Sequence, residues 1–312
     1  MEGHDWESMT SEIEISPLRP GEVAEAWRIC NVAFGTFLRV PDPAQTFGDR
    51  DMMGSRFRSA CTATLAARER GRLIGSNVAT RWGSFGFFGP LTVLPEYWDK
   101  GVAQLLLEQT MGVFERWGVR HSGLFTFPES PKHIGLYQKF GYWPQYLTAL
   151  LRKTPEAVGE APTLFSGLDP AARERTLGEA RDLAGSIFPG LDLSDEIRSA
   201  TDTVLVHDGH GSLEAFAVCH TGPGTEGGSG VCYVKFGAAR SAGAFDRLLV
   251  SCEAFAAQRG AVVEAGMNLA REDAYRRMRA WGYLPARQGI AMQRPHEAGF
   301  NRGDCYVIDD WR

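Results

Sequence analysis

What the chain lacks narrows its function before any motif is read. No apolar run reaches the ~18 uninterrupted residues that a bilayer-spanning helix needs, so no transmembrane segment is predicted. The opening residues, MEGHDWESMTSE, are polar and acidic and lack the basic-then-apolar pattern of a secretion leader; the chain is read as cytoplasmic. Positive charge is not in excess. Lys plus Arg number 33 against 38 Asp plus Glu, a net charge of -5, which argues against broad binding to nucleic acid or to an anionic membrane. There is no C-x-x-C pair. The six cysteines, Cys30, Cys61, Cys219, Cys232, Cys252 and Cys305, are scattered and mostly sit among apolar neighbours, the pattern of buried free thiols rather than of disulfides or a metal site. With 44% apolar and 23% charged residues, wholesale disorder is excluded too.

At 312 residues the chain is twice the ~150 at which one core usually stops growing, and its pattern divides in two. In the first half, strands are predicted at 13–18, 61–68, 73–82, 85–94, 124–127 and 146–151. Helices are predicted from Pro20-Gly21 onward, at 51–58, 99–117 and 131–140. Residues 154–170 lose periodicity and read as a linker. The second half then echoes the first, with strands at 213–219, 231–236 and 261–265, helices at 244–259 and 271–280, and an alternating tail at 305–312. Trp281-Gly282-Tyr283 matches the landmark Phe140-Gly141-Tyr142.

The most informative stretch runs from Leu91 to Leu107. An apolar strand enters a tight turn, and the small residues Gly101 and Ala103 fall where a helix begins. Backbone N–H groups there can approach a ligand unobstructed. The amides of Asp99, Lys100, Gly101, Val102, Ala103 and Gln104, with the positive end of the helix dipole, favour a pyrophosphate, and Lys100 adds a mobile charge. Tight helix packing is the alternative reading of the same small residues.

This stretch resembles the acetyl-CoA signature of the GNAT superfamily of N-acetyltransferases, V-x-P followed by Q/R-x-x-G-x-G/A and leucines. Val93, Pro95, Gly101 and Ala103 match; Trp98 stands where the pattern has Gln or Arg. A second segment, His133 to Tyr142, is similar to the family's later A-x-x-L-Y-x-K-x-G-F motif through Leu136, Tyr137, Lys139 and Gly141, with Ser130 in the place of its Asn.

The resemblance implies an α/β (α+β mixed-sheet) fold of two tandem GNAT-like domains, at 1–155 and 156–312. Strands 85–94 and 124–127 would part to form a cleft for the pantetheine arm. Leu91, Thr92 and Val93 would pair with its amides, and Trp98 through Gln104 with Ser130 would complete the acetyl-CoA site. It further implies direct attack of a small-molecule amine on the thioester, with Tyr137 protonating the departing sulfur and the Val93 amide polarising the carbonyl. No metal, nucleic acid or membrane is called for, and the protein is expected as a monomer or homodimer. Strand 85–90 carries no titratable group, so Glu129 and His133 are the nearby candidates for a base, beside a water chain or an already neutral amine. In the second half Phe245 falls opposite Ala103 and Met278 opposite Tyr137, which predicts a degenerate copy that walls the acceptor pocket, although Arg240 stands where the family has Arg. The tail carboxylates Asp309 and Asp310 read as solvated strand ends, or as groups within reach of a cationic acceptor. A non-catalytic acyl-CoA sensor or scaffold is the competing function.

Overall fold

Arg70 and Gly71 take up left-handed φ values of 49° and 82°, which closes the tight turn between β2 (Thr62–Glu69) and β3 (Arg72–Trp82). The computed structural model describes residues 13–155 and 160–312; the acidic leader and residues 156–159 of the expected linker lie outside them. β1 (Ile13–Pro17) pairs antiparallel with β2, and α1 (Val23–Leu38) and α2 (Met52–Phe57) follow on the chain. Asp51 caps α2 by accepting from the Gly54 amide at 2.7 Å. The single strand expected at 85–94 is two strands, β4 (Phe85–Phe88) and β5 (Thr92–Val93). α3 (Val102–Arg116), β6 (His121–Thr126), α4 (Pro131–Lys139) and β7 (Trp143–Lys153) complete the first half.

The second half contains β8 (Thr163–Leu164), α5 (Pro170–Ile187), α6 (Ser194–Ser199), β9 (Asp202–His207), β10 (Leu213–Gly222) and β11 (Gly228–Ala239). It continues through α7 (Ala242–Ala257), β12 (Val262–Asn268), α8 (Glu272–Ala280), β13 (Leu284–Arg294) and β14 (Tyr306–Ile308). Part of the expected linker is therefore structured, since β8 lies within it. Among the described residues no helix is long and apolar enough to cross a membrane.

All strands join one mixed sheet of 14, ordered β1-β2-β3-β4-β6-β13-β7-β12-β11-β10-β9-β8, with β5 on β3 and β14 on β11. Its centre is an exchange. β13, from the second half, lies between β6 and β7 of the first, and β7 pairs with β12 of the second. Each half thus lends its last long strand to the other. A shared core seals the arrangement: Trp82 meets Phe236 at 5.3 Å between ring centroids, and Phe85 meets Trp311 at 5.2 Å.

Each half has one parallel pair whose strands then part. In the first, β4 runs beside β6 through Phe87 and Gly123. In the second, β11 runs beside β12 through Val234 and Ala265; beyond that point β14 pairs with β11 across Gly237–Ala239, and the Asp309 amide donates to the Gly266 carbonyl at 3.0 Å. The tail therefore fills the second parting with main chain. Its carboxylates are not solvated strand ends: Asp309 lies 2.9 Å from Arg271, Asp310 accepts from the Tyr233 hydroxyl at 2.9 Å, and both are buried.

A second interior feature joins the halves through charge. Arg56 and Lys235 alternate with Glu226 and Glu196 in a buried quartet: Arg56 to Glu226 at 2.6 Å, Glu226 to Lys235 at 2.7 Å, and Lys235 to Glu196 at 2.9 Å. Burial pushes the Glu226 carboxyl up, but Arg56 and Lys235 outweigh it and hold the group below its ordinary 4.5. Burial also lowers the pKa of His220 beneath its ordinary 6.5. Both groups bind a proton more weakly folded than unfolded, so their stabilisation is complete above those ordinary values and is withdrawn on acidification. Melting at pH 7.5 and at pH 4 is expected to differ by about 5 °C or more, with the loss beginning below pH 6.5 and steepening below 4.5. A melting temperature flat across that range would contradict this assignment of the charges.

Candidate active site

The parting of β4 and β6 is built by one extra residue. Between the pairs Ala79–Phe88 and Ser76–Thr92, three steps on β3 face four on the β4–β5 side, which makes a bulge at residues 89–91. Past it, the Leu94 amide donates to the Ile74 carbonyl at 2.9 Å. In an antiparallel ladder this puts Thr92 in a bonded position against Ser76, while the main-chain groups of Val93 turn away from β3. The Val93 N–H accordingly faces the parting. Its carbonyl does not stay open, because the Trp98 indole N–H donates to it at 2.8 Å. Of the three residues expected to run along a ligand's amides, Thr92 is thus spent on the sheet and Val93 offers only its donor.

Trp98 needs a matching correction. Its backbone amide donates to the Pro95 carbonyl at 3.1 Å and its indole to Val93, so neither nitrogen is free for a phosphate. What it presents is a ring, 36% exposed. In the rest of the turn Asp99 and Gly101 have left-handed φ values of 65° and 77°, and Gly101 precedes α3 with no side chain of its own to cap the helix. Among the described residues, no side chain accepts from the first amides of α3 at the positive end of its dipole. The Lys100 ammonium lies 4.8 Å over the Tyr97 ring, and Gln104 donates to Glu108 at 3.1 Å on the outer face of α3. Lys132, which sequence reasoning did not single out, pairs with Asp99 and brings a cation from the first turn of α4 to the turn before α3.

α4 carries the acid–base candidates. Ser130 caps it by accepting from the His133 amide at 3.4 Å. One turn on from His133, Tyr137 is buried against Phe88, 5.8 Å between centroids. Burial pushes the Tyr137 pKa up to about 12, an effect the neighbouring Thr126 only partly offsets, so the phenol is protonated throughout the neutral range. Burial first, and the Lys132 charge second, lower the pKa of His133 and keep its imidazole neutral. Glu129 is exposed on the loop before it. Phe37 packs on His133 at 5.1 Å and on Phe127 at 5.2 Å, and Phe34 bridges Phe127 and Phe47, so half-buried rings surround the end of β6.

The corresponding positions of the second half are closed. Ser241 caps α7 by accepting from the Ala244 amide at 3.2 Å, Phe245 and Met278 are fully buried, and the Arg240 guanidinium donates to the Leu213 carbonyl at 3.1 Å.

Residues 26–142 match the family model of the acetyltransferase (GNAT) family. No curated protein sequence matches the chain. Among solved structures, an acetyltransferase-class protein from Pyrococcus horikoshii superposes with a TM-score of 0.66 at 15% identity, covering 96% of this chain and 95% of its own. A GCN5-related N-acetyltransferase from Sphaerobacter thermophilus gives 0.58 at 12% identity over 91% and 95% of the two chains. A glucosamine N-acetyltransferase region of a fungal multi-domain β-N-acetylglucosaminidase gives 0.61 at 15%, over 90% of this chain and 38% of that one. At these identities the likeness is one of fold, which it extends over both halves.

Proposed function

We propose that residues 1–155 form an acetyl-CoA-dependent N-acetyltransferase domain acting on a primary amine of a small molecule, and that 156–312 form a degenerate GNAT-like copy that braces it. The observation that carries this reading is the contrast between the two partings. In the first, among the described residues, no strand enters between β4 and β6 beyond Phe87 and Gly123, beside an uncapped helix and a buried phenol, whereas the second is filled by β14 beside a helix capped by Ser241.

In this reading the amides of residues 99–104 hold the pyrophosphate, and Leu91 with the Val93 N–H borders the pantetheine and thioester. The neutral amine attacks the thioester carbonyl while the Val93 N–H takes up the charge developing on its oxygen. The new C–N bond forms as the C–S bond breaks, the departing thiolate takes the Tyr137 proton, and the ammonium proton passes to His133 or to solvent. The rings of Phe34, Phe37 and Phe127 beside His133 favour an amine carried on an apolar or aromatic body.

The test is release of free CoA from acetyl-CoA with a panel running from benzylamine and tryptamine to spermidine and an aminoglycoside. Turnover led by the aromatic amines supports the reading. Tight CoA binding without turnover on any amine would replace it with an acyl-CoA sensor, the function favoured by the loss of a phosphate donor at Trp98.

A further inference from the structure

The buried quartet reaches beyond holding the halves together, because one of its members grips the bulge. The Arg56 Nη1 donates to the Gly89 carbonyl at 2.6 Å. Its Nε and Nη2 donate to Glu226 Oε2 at 3.2 and 2.6 Å, and Nη2 also donates to the Arg312 carbonyl. Phe87, the last β4 residue paired with β6, lies under the same guanidinium at 5.8 Å. Gly89 is the first residue of the bulge, bonded to β3 through its amide alone, at 2.8 Å from the Val78 carbonyl. Glu226 and Arg312 both belong to the second half, and Lys235 and the Trp82 indole fix the carboxylates behind them.

We propose that Arg56 is a positioning residue for acyl transfer: set by Glu226 and the Arg312 carbonyl, it clamps the Gly89 carbonyl and so holds the bulge that aims the Val93 N–H into the cleft. The inference rests on the acetyltransferase reading of that cleft. It gives the second half a part in catalysis without a ligand of its own. Burying two cations with two anions is an expensive way to fill space, since apolar side chains of similar volume do so at no loss of stability. What apolar groups cannot do is reach three differently placed acceptors at once, which the planar fork of an arginine does.

The test compares Arg56→Lys with Arg271→Lys. Arg271 is equally buried, and it donates to the Val307 carbonyl, Asn301 and Asp309, none of which lies on β4 or β5. With the best amine of the panel, Arg56→Lys is expected to lower kcat by about 10- to 50-fold while KM for acetyl-CoA and the calorimetric Kd for CoA stay within about twofold, the signature of an interaction used in the transition state. Arg271→Lys is expected to lower the melting temperature as much and to leave kcat within about twofold. Should Arg56→Lys fail to fold, Glu226→Gln, which keeps the shape and weakens the hold, is expected to show the same split at smaller size. An unchanged kcat in the Arg56 or Glu226 variant, or an equal loss in Arg271→Lys, overturns the clamp. Wild-type protein that neither binds CoA nor turns over acetyl-CoA instead overturns the acetyltransferase reading on which it rests.

Discussion

Replacing Tyr137 by Phe is expected to lower acetyl transfer by a factor on the order of 10² and to leave CoA affinity within about twofold. The phenol is buried against Phe88, and burial holds its pKa at about 12, so at neutral pH the hydroxyl is a proton donor and not a base. Phe keeps the ring that packs on the sheet and removes only that proton. Loss confined to kcat would identify the donor to the departing thiolate. The same donor sets the pH dependence: turnover should rise with pH as the acceptor amine deprotonates and show no descending limb below pH 10, because Tyr137 is still protonated there. Unchanged turnover in the variant would remove Tyr137 from the mechanism.

Gly101→Val is expected to act on the other half of the reaction, weakening CoA binding by on the order of 10²-fold or more. Two effects add. Gly101 sits at φ 77°, a left-handed conformation that a β-branched residue resists, so the turn before α3 must rearrange. The new side chain also covers backbone nitrogens that a pyrophosphate would approach. The turn lies at the surface, so the melting temperature should fall by only a few degrees. An unaltered Kd would mean that the pyrophosphate site lies elsewhere.

How much of this was legible in the sequence depended on whether the signal was local. The hairpin at Arg70-Gly71, the turn into α3 at Gly101 and the helix α4 are short-range patterns, and the chain forms them where the pattern falls. α5 was missed although its signal was present: Asp169 caps the Ala172 amide at 2.8 Å and Pro170 opens the helix, but the helix is polar and buries few residues. β13 carried no such signal. Its first five residues are exposed and include Pro285, so it does not alternate; it is a strand because β6 and β7 flank it. Gly289 is there for the same reason, since a Cβ at that position would come within 2.2 Å of the Phe125 ring. Arg56 was the least legible, as its partners Glu226 and Arg312 lie 170 and 256 residues along the chain. The hydrogen bonding that spends both Trp98 nitrogens, likewise, exists only once the turn is folded.

The account stands on one parting holding no inserted strand and the other being filled by β14. Calorimetric titration of the full chain with CoA tests that most directly. It should give one site per chain in the wild type, lost in Gly101→Val and retained in a variant of the second half such as Gly243→Val at the start of α7. Two sites per chain, or a single site that survives Gly101→Val and disappears with Gly243→Val, would contradict it.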